Sequence, residues 1–139
     1  MKALIIDASV VAAALFAEEH ATLARKILSG TAKLYAPDFI TVEIATVIWK
    51  RYRRKEITTN EAMDLLTDAD SLPVMKIPVS DLTASALQLA MRTDRSIYDC
   101  LYLALAVRTA GVMITVDQRL VHAVAASPLK SHIAFLGDM

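Results

Sequence analysis

The chain has 139 residues, 55% of them hydrophobic, with only three glycines and with fifteen basic residues set against fifteen acidic ones. That length fits one helix-rich domain able to bury a core, and the even charge balance neither demands nor excludes a polyanionic partner. A single cysteine, Cys100, excludes an internal disulfide framework and agrees with a reducing compartment.

The N-terminus imitates a signal peptide, with Met1-Lys2, an apolar run and Ala12-Ala13-Ala14. Asp7 interrupts that run at its middle, and the charge-free stretch Ala8 to Ala17 is about half of what spans a bilayer. The expectation is a buried strand and helix of a cytoplasmic protein, with no membrane partner. Lys2 to Ile6 reads as a strand covered on both faces. Ser9 is placed to cap a helix through Phe16, and a second helix fits Glu19 to Leu28, closed by Gly30. Lys33 to Ala36 is a second strand stopped by Pro37, and Asp38 or Thr41 opens a helix to about Arg54. Thr58-x-x-Glu61 is a capping box for a helix ending near Leu72, and Val74 to Ile77 is a third strand. Helices over Asp81 to Met91 and Ile97 to Ala110 follow, the second stopped by Gly111. Val112 to Val116 is a fourth strand, Gln118 to Ala125 a helix, and His132 to Leu136 a fifth strand. Strands separated by helices imply parallel pairing with right-handed crossovers, hence one α/β domain over residues 1–139 with a sheet of four to five strands covered on both faces.

Four of the fifteen acids fall at the ends of elements in otherwise apolar stretches. Asp7 follows the first strand and Asp117 the fourth. Glu43 lies in the first turns of the helix after the second strand, beside the stripe Ile40, Ile44, Val47 and Ile48. Asp99 lies in the first turn of "SIYDCLYLALA", where it is the only charged residue. In parallel sheets ligands bind beyond the carboxyl ends of the strands, where the connections change direction. Each acid also has a plainer role: Asp7 and Asp117 suit helix N-caps, Glu43 suits a helix dipole, and Ser96-x-x-Asp99 reads as a capping box. Carboxylates about 4 Å apart repel by roughly 1 kcal/mol in water and about 4 kcal/mol at surface-like screening, so a cluster of them needs a cation. All-oxygen ligands favour Mg²⁺ or Mn²⁺.

"LIIDAS", "VEIATVIWK", "IYDCLYLALA" and "ITVDQRL", in this order and spacing, resemble the PIN domain, most closely the VapC toxins of VapBC toxin–antitoxin pairs, over nearly the whole chain. The resemblance implies a parallel sheet ordered 3-2-1-4-5 and a metal site built from Asp7, Glu43, Asp99 and Asp117. It also implies small hydroxyls beside the site at Ser9 and Thr115. The expected activity is a Mg²⁺- or Mn²⁺-dependent endoribonuclease leaving a 5′-phosphate and a 3′-hydroxyl, with metal-activated water as the attacking group. A VapB-type antitoxin and a second copy of the chain are the expected partners. One departure stands three residues after Glu43, where the family often has Asn and this chain has Thr46.

Other features carry less. The run Lys50-Arg51-Tyr52-Arg53-Arg54-Lys55 suits either a helix C-terminus or RNA phosphates, and Arg53, Arg54, Arg92, Arg95 and Arg119 are the candidate phosphate contacts. Cys100 reads as a small core residue, and His20, His122 and His132 lack metal-ligand spacing. Trp49 and the methionines read as core or interface packing. No Gly-rich phosphate loop exists. Two other classes stay open: a metal-dependent phosphatase or phosphotransfer domain, which would want an acid where Ser9 stands, and a non-catalytic α/β binding module whose acids only cap helices.

Overall fold

The structure, a computed structural model, describes residues 2–139. Five short parallel strands form one sheet: β1 (Leu4–Ile6), β2 (Leu34–Pro37), β3 (Val74–Ile77), β4 (Val112–Thr115) and β5 (Ile133–Phe135), in the order β3-β2-β1-β4-β5. The helices are α1 (Ala8–Leu15), α2 (Ala21–Leu28), α3 (Ile40–Arg53), α4 (Thr59–Asp70), α5 (Thr83–Thr93), α6 (Ile97–Arg108) and α7 (Gln118–Val124). Both the strand order and the alternation match the sequence-based expectation. From β1 the chain moves one way across the sheet to β2 and β3, then returns past β1 to β4 and β5. With right-handed crossovers, α1 to α4 cover one face and α5 to α7 the other. Packing agrees, since α1 touches α2, α3 and α4 while α5 pairs with α6.

Helix α6 is the centrepiece of the core. Cys100 to Ala106 are all buried without a break, as befits a helix that is apolar all round and enclosed on every side. It lies on β1, β2 and β4 and against α5. Ile5, Ile6, Met113 and Ile114 of the two central strands are sealed from solvent. Among the described residues no helix is long and apolar enough to cross a membrane.

Several element ends differ from the sequence reading, each for a local reason. Asp7, not Ser9, is the N-cap of α1, and Ser9 lies inside the helix. Helix α2 starts at Ala21, two residues later than Glu19, and closes at Ser29 rather than Gly30. Neither Asp38 nor Thr41 caps α3; its N-cap is Phe39, and the Asp38 carboxylate instead accepts from the Val79 N–H at 3.1 Å. A short 3₁₀ turn (Val79–Asp81) occupies the predicted start of α5, which begins at Thr83 and runs to Thr93. The Thr58–Glu61 capping box is present in both directions, at 3.1 and 2.9 Å. Trp49 is not core: it is 52% exposed and lines an apolar groove of about 280 Å³ between α3 and α4 with Ile48, Tyr52, Met63 and Leu66.

The end of α6 shows why glycine is where it is. Gly111 N–H donates to Ala106 O at 2.8 Å and Ala110 N–H to Val107 O at 3.1 Å, the two bonds of a Schellman closure. The left-handed position of that motif is taken by Ala110, with φ of 55°. Gly111 sits one place later because a Cβ there would collide with the Ala3 carbonyl of the neighbouring strand. Ala110→Gly is therefore expected to stabilise the fold by up to about 1 kcal/mol. Gly111→Ala should destabilise it by about 1–3 kcal/mol; urea unfolding of both variants checks the opposite signs.

Candidate active site

The ladder between β1 and β4 runs one residue past β1, where the Asp7 N–H donates to Ile114 O at 3.2 Å. That bond fixes the Asp7 backbone at the point where the sheet's connections reverse direction. Although Asp7 occupies an N-cap, its carboxylate caps nothing. Its Oδ2 accepts instead from Ser9 Oγ and from Thr115 Oγ1, each at 2.8 Å. Thr115 closes β4 and is fully buried. The same two hydroxyls accept from the Val116 and Asp117 N–H groups at 3.2 and 3.1 Å. One carboxylate oxygen is thus tied through two hydroxyls to both strand ends.

The other three acids stand on the same rim. Glu43, in the first turn of α3, is half-buried, and its Oε1 accepts from Tyr102 Oη at 2.6 Å. Asp99 lies in the first turn of α6; its backbone N–H donates to Ser96 Oγ at 3.1 Å. The Asp99 side chain does not return that bond, so Ser96 caps the helix alone and the predicted reciprocal box is absent. Asp117 does cap α7, with Oδ1 accepting from the Leu120 N–H at 3.2 Å, and it is exposed.

The acids act on one another electrostatically. Burial raises the Asp7 pKa above the usual carboxylate value, against the pull of the Thr115 and Ser9 hydroxyls and with a further push from Asp99. Glu43 is raised by burial, lowered in part by the Tyr102 bond, and raised again by Asp7 and Asp99. Asp99 is raised by burial, opposed by the Ser96 hydroxyl, and raised by Asp117, while the Arg95 guanidinium pulls it down. All four carboxylates therefore belong to one electrostatic neighbourhood. The donor set, oxygen only, suits a hard divalent cation. Among the described residues, however, no three acidic, histidine or cysteine side chains converge closely enough to ligate one ion as they stand.

The remaining candidates divide cleanly. Ser9 and Thr115 both meet Asp7. Thr46 does not turn to Glu43, because its hydroxyl donates to Val42 O within its own helix at 2.9 Å. Arg95 is the one candidate arginine felt by an acid of the site; Arg53, Arg54 and Arg119 are exposed on their helices. Arg92 lines a separate cavity of about 250 Å³ with Leu89, Val107, Pro128 and Leu129. In the basic run, Arg51 is taken up by the fold: it pairs with Glu18 and Glu56 and lies 4.4 Å over the Phe16 ring. Arg53 lies 4.8 Å over Trp49. Cys100 is buried, with its thiol pKa raised by that burial, and is a packing residue. Sequence reasoning missed Tyr102. Its signal was available, since a residue three places after Asp99 shares its helical face.

Comparison with known proteins places this geometry in a family. The PIN domain model matches residues 4–126. Ribonuclease VapC3 of Pyrobaculum aerophilum is 29% identical over 119 residues, covering 84% of this chain and 91% of that protein. Ribonuclease VapC12 of Mycobacterium tuberculosis is 32% identical over 100 residues, covering 72% of this chain and 74% of that protein. Among solved structures, PAE2754 from Pyrobaculum aerophilum superposes with a TM-score of 0.69 at 21% identity, covering 99% of this chain and 85% of that one. A toxin–antitoxin complex from Klebsiella pneumoniae gives a TM-score of 0.62 at 16% identity over 96% of this chain and 97% of that one.

The raised carboxylates fix the sign of a pH effect. Because Asp7, Glu43 and Asp99 hold protons more tightly folded than unfolded, stability falls as pH rises from the ordinary carboxylate values through the raised ones. Glu61, lowered by its capping-box bonds, acts in the opposite sense but only below its ordinary value. In chelator, the melting temperature is expected to rise as pH is lowered from neutrality toward the ordinary carboxylate values. Asp7→Asn, which removes the most enclosed charge while keeping an acceptor for the two hydroxyls, should raise it at neutral pH by a few degrees, corresponding to about 1 kcal/mol. Calorimetric scans of both proteins across that range test the pair.

Proposed function

The chain belongs to the PIN-domain family, and we propose that it is a divalent-metal-dependent endoribonuclease, the toxin of a toxin–antitoxin pair. The observation that supports this reading is that Asp7, Glu43, Asp99 and Asp117, from four separate segments, share the rim beyond the carboxyl ends of β1 and β4 and act on one another electrostatically. The relatives named as VapC ribonucleases support the activity, and the solved toxin–antitoxin complex of the same fold supports a VapB-type antitoxin as partner. A homodimer is part of the same proposal.

In this reading Asp7, Glu43, Asp99 and Asp117 hold Mg²⁺ or Mn²⁺. Bound there, the ion supplies an acidified water and neutralises charge developing on the phosphodiester, giving a 5′-phosphate and a 3′-hydroxyl. The protein's own contribution is placement. Ser9 and Thr115 pin one oxygen of Asp7 and leave the other available. The Ser96 cap sets the Asp99 backbone and leaves its carboxylate without a capping duty. Arg95, beside Asp99, is placed to meet a phosphate oxygen, and the exposed Arg53, Arg54 and Arg119 offer longer-range attraction for the RNA backbone. A phosphotransfer reading is disfavoured because the position that should hold its second acid is Ser9, whose hydroxyl is spent on Asp7.

The test is Asp99→Asn. The variant should fold, as the α6 cap does not use the carboxylate, yet lose RNA cleavage in Mg²⁺ or Mn²⁺ by on the order of 10²–10³, the usual scale for deleting one electrostatic contributor to a transition state. Cleavage at the wild-type rate removes Asp99 from the chemistry. Absence of Mg²⁺ and Mn²⁺ binding to the wild-type chain by calorimetry would favour a binding module instead.

A further inference from the structure

We propose that Tyr102 is a positioning residue for Glu43, holding Oε1 so that Glu43 meets a divalent cation, or that cation's water, through Oε2 alone. This rests on the metal-site reading above and deepens it. The Tyr102 hydroxyl lies 2.6 Å from Glu43 Oε1 across 59 residues of sequence. A carboxylate only accepts, so the phenol is the donor. Tyr102 is 1% exposed, and its ring is locked by packing on Phe39, centroids 5.4 Å apart at 57°. Phe39 is itself the N-cap of α3 and also packs on Tyr98, at 5.8 Å. The helix that carries Glu43 is therefore fixed to α6 at its first turn, and the bond to Tyr102 extends that fixation to the carboxylate itself.

Two features make this arrangement more than packing. Asp99 and Tyr102 are three residues apart on α6, so one helical face presents an acid and, a turn further in, the donor that orients a second acid from another helix. Without that donor Glu43 has three rotatable bonds and no other side-chain partner among the described residues. The device also parallels the treatment of Asp7, where hydroxyl donors occupy one oxygen and leave the second. Asp7 and Glu43 are thus each held at one oxygen by hydroxyl donors. Partners of this kind orient ligands and tune their basicity.

The experiment uses the intact chain and Tyr102→Phe, which removes one oxygen and preserves the ring. Calorimetric titration with Mn²⁺ should show affinity about tenfold weaker, with kcat for RNA cleavage reduced, KM unchanged and the melting temperature in chelator held within a few degrees. In a Glu43→Gln background the same substitution should cause no further loss. Wild-type Mn²⁺ affinity in Tyr102→Phe, or an equal loss in both backgrounds, overturns the proposal while leaving the metal site standing. Failure of the wild-type chain to bind Mn²⁺ overturns both. A measurement needing no variant gives a second check: infrared difference bands of carbon-labelled glutamate on Mg²⁺ addition should show no two-oxygen chelation by Glu43, and bands typical of bidentate ligation overturn the assignment.

Discussion

The fold of this chain is organised around one awkward group, the Asp7 carboxylate. It follows directly on a strand whose neighbours on both sides are sealed from water, and a charge in such a place is costly unless hydrogen-bonded. The protein meets that demand with two hydroxyls, Ser9 and Thr115, drawn from the segments that leave β1 and close β4. Those hydroxyls in turn accept the N–H groups of Val116 and Asp117, which lie past the end of β4 and have no ladder partners. Sheet register, the start of α1 and the approach to α7 are tied to the orientation of a single side chain. Asp7 is accordingly both the most enclosed acid of the site and the one least able to move.

The other acids sit on a gradient of freedom. Glu43 is held at one oxygen by Tyr102, Asp99 has the Ser96 hydroxyl at its backbone and beside its carboxylate, and Asp117 is exposed with one oxygen on α7. Asp99 draws additional relief from Arg95. Net neutrality of the whole chain hides this local concentration completely.

Much of this was legible in the sequence, for identifiable reasons. Branched apolar runs bounded by acids or Pro marked β1, β2 and β4, and the Thr58–Glu61 box announced α4 by reciprocal bonding. What stayed hidden depended on partners distant in sequence. Asp7 takes the N-cap that its position suits, but nothing local told that its carboxylate would cap nothing, because that group is engaged by Thr115, 108 residues away. Nothing local told that Phe39 would displace Asp38 and Thr41 at the start of α3, since its reason for being there is the pair of tyrosines on α6. Ala110 rather than Gly111 holds the left-handed position, because the glycine is needed where the chain crowds Ala3. The Tyr102 ring belongs to a buried apolar helix, and only its distant partner Glu43 shows what the hydroxyl is for.

The pairing of β1 with β4 has a consequence in time. The two strands lie side by side in the sheet, yet the Asp7–Thr115 bond at their ends spans 108 residues of chain. Contacts of such long loop closure form late. Until that loop closes, Asp7 lacks the Thr115 hydroxyl and Glu43 lacks the tyrosine of α6, so the acidic rim is ordered among the last parts of the fold.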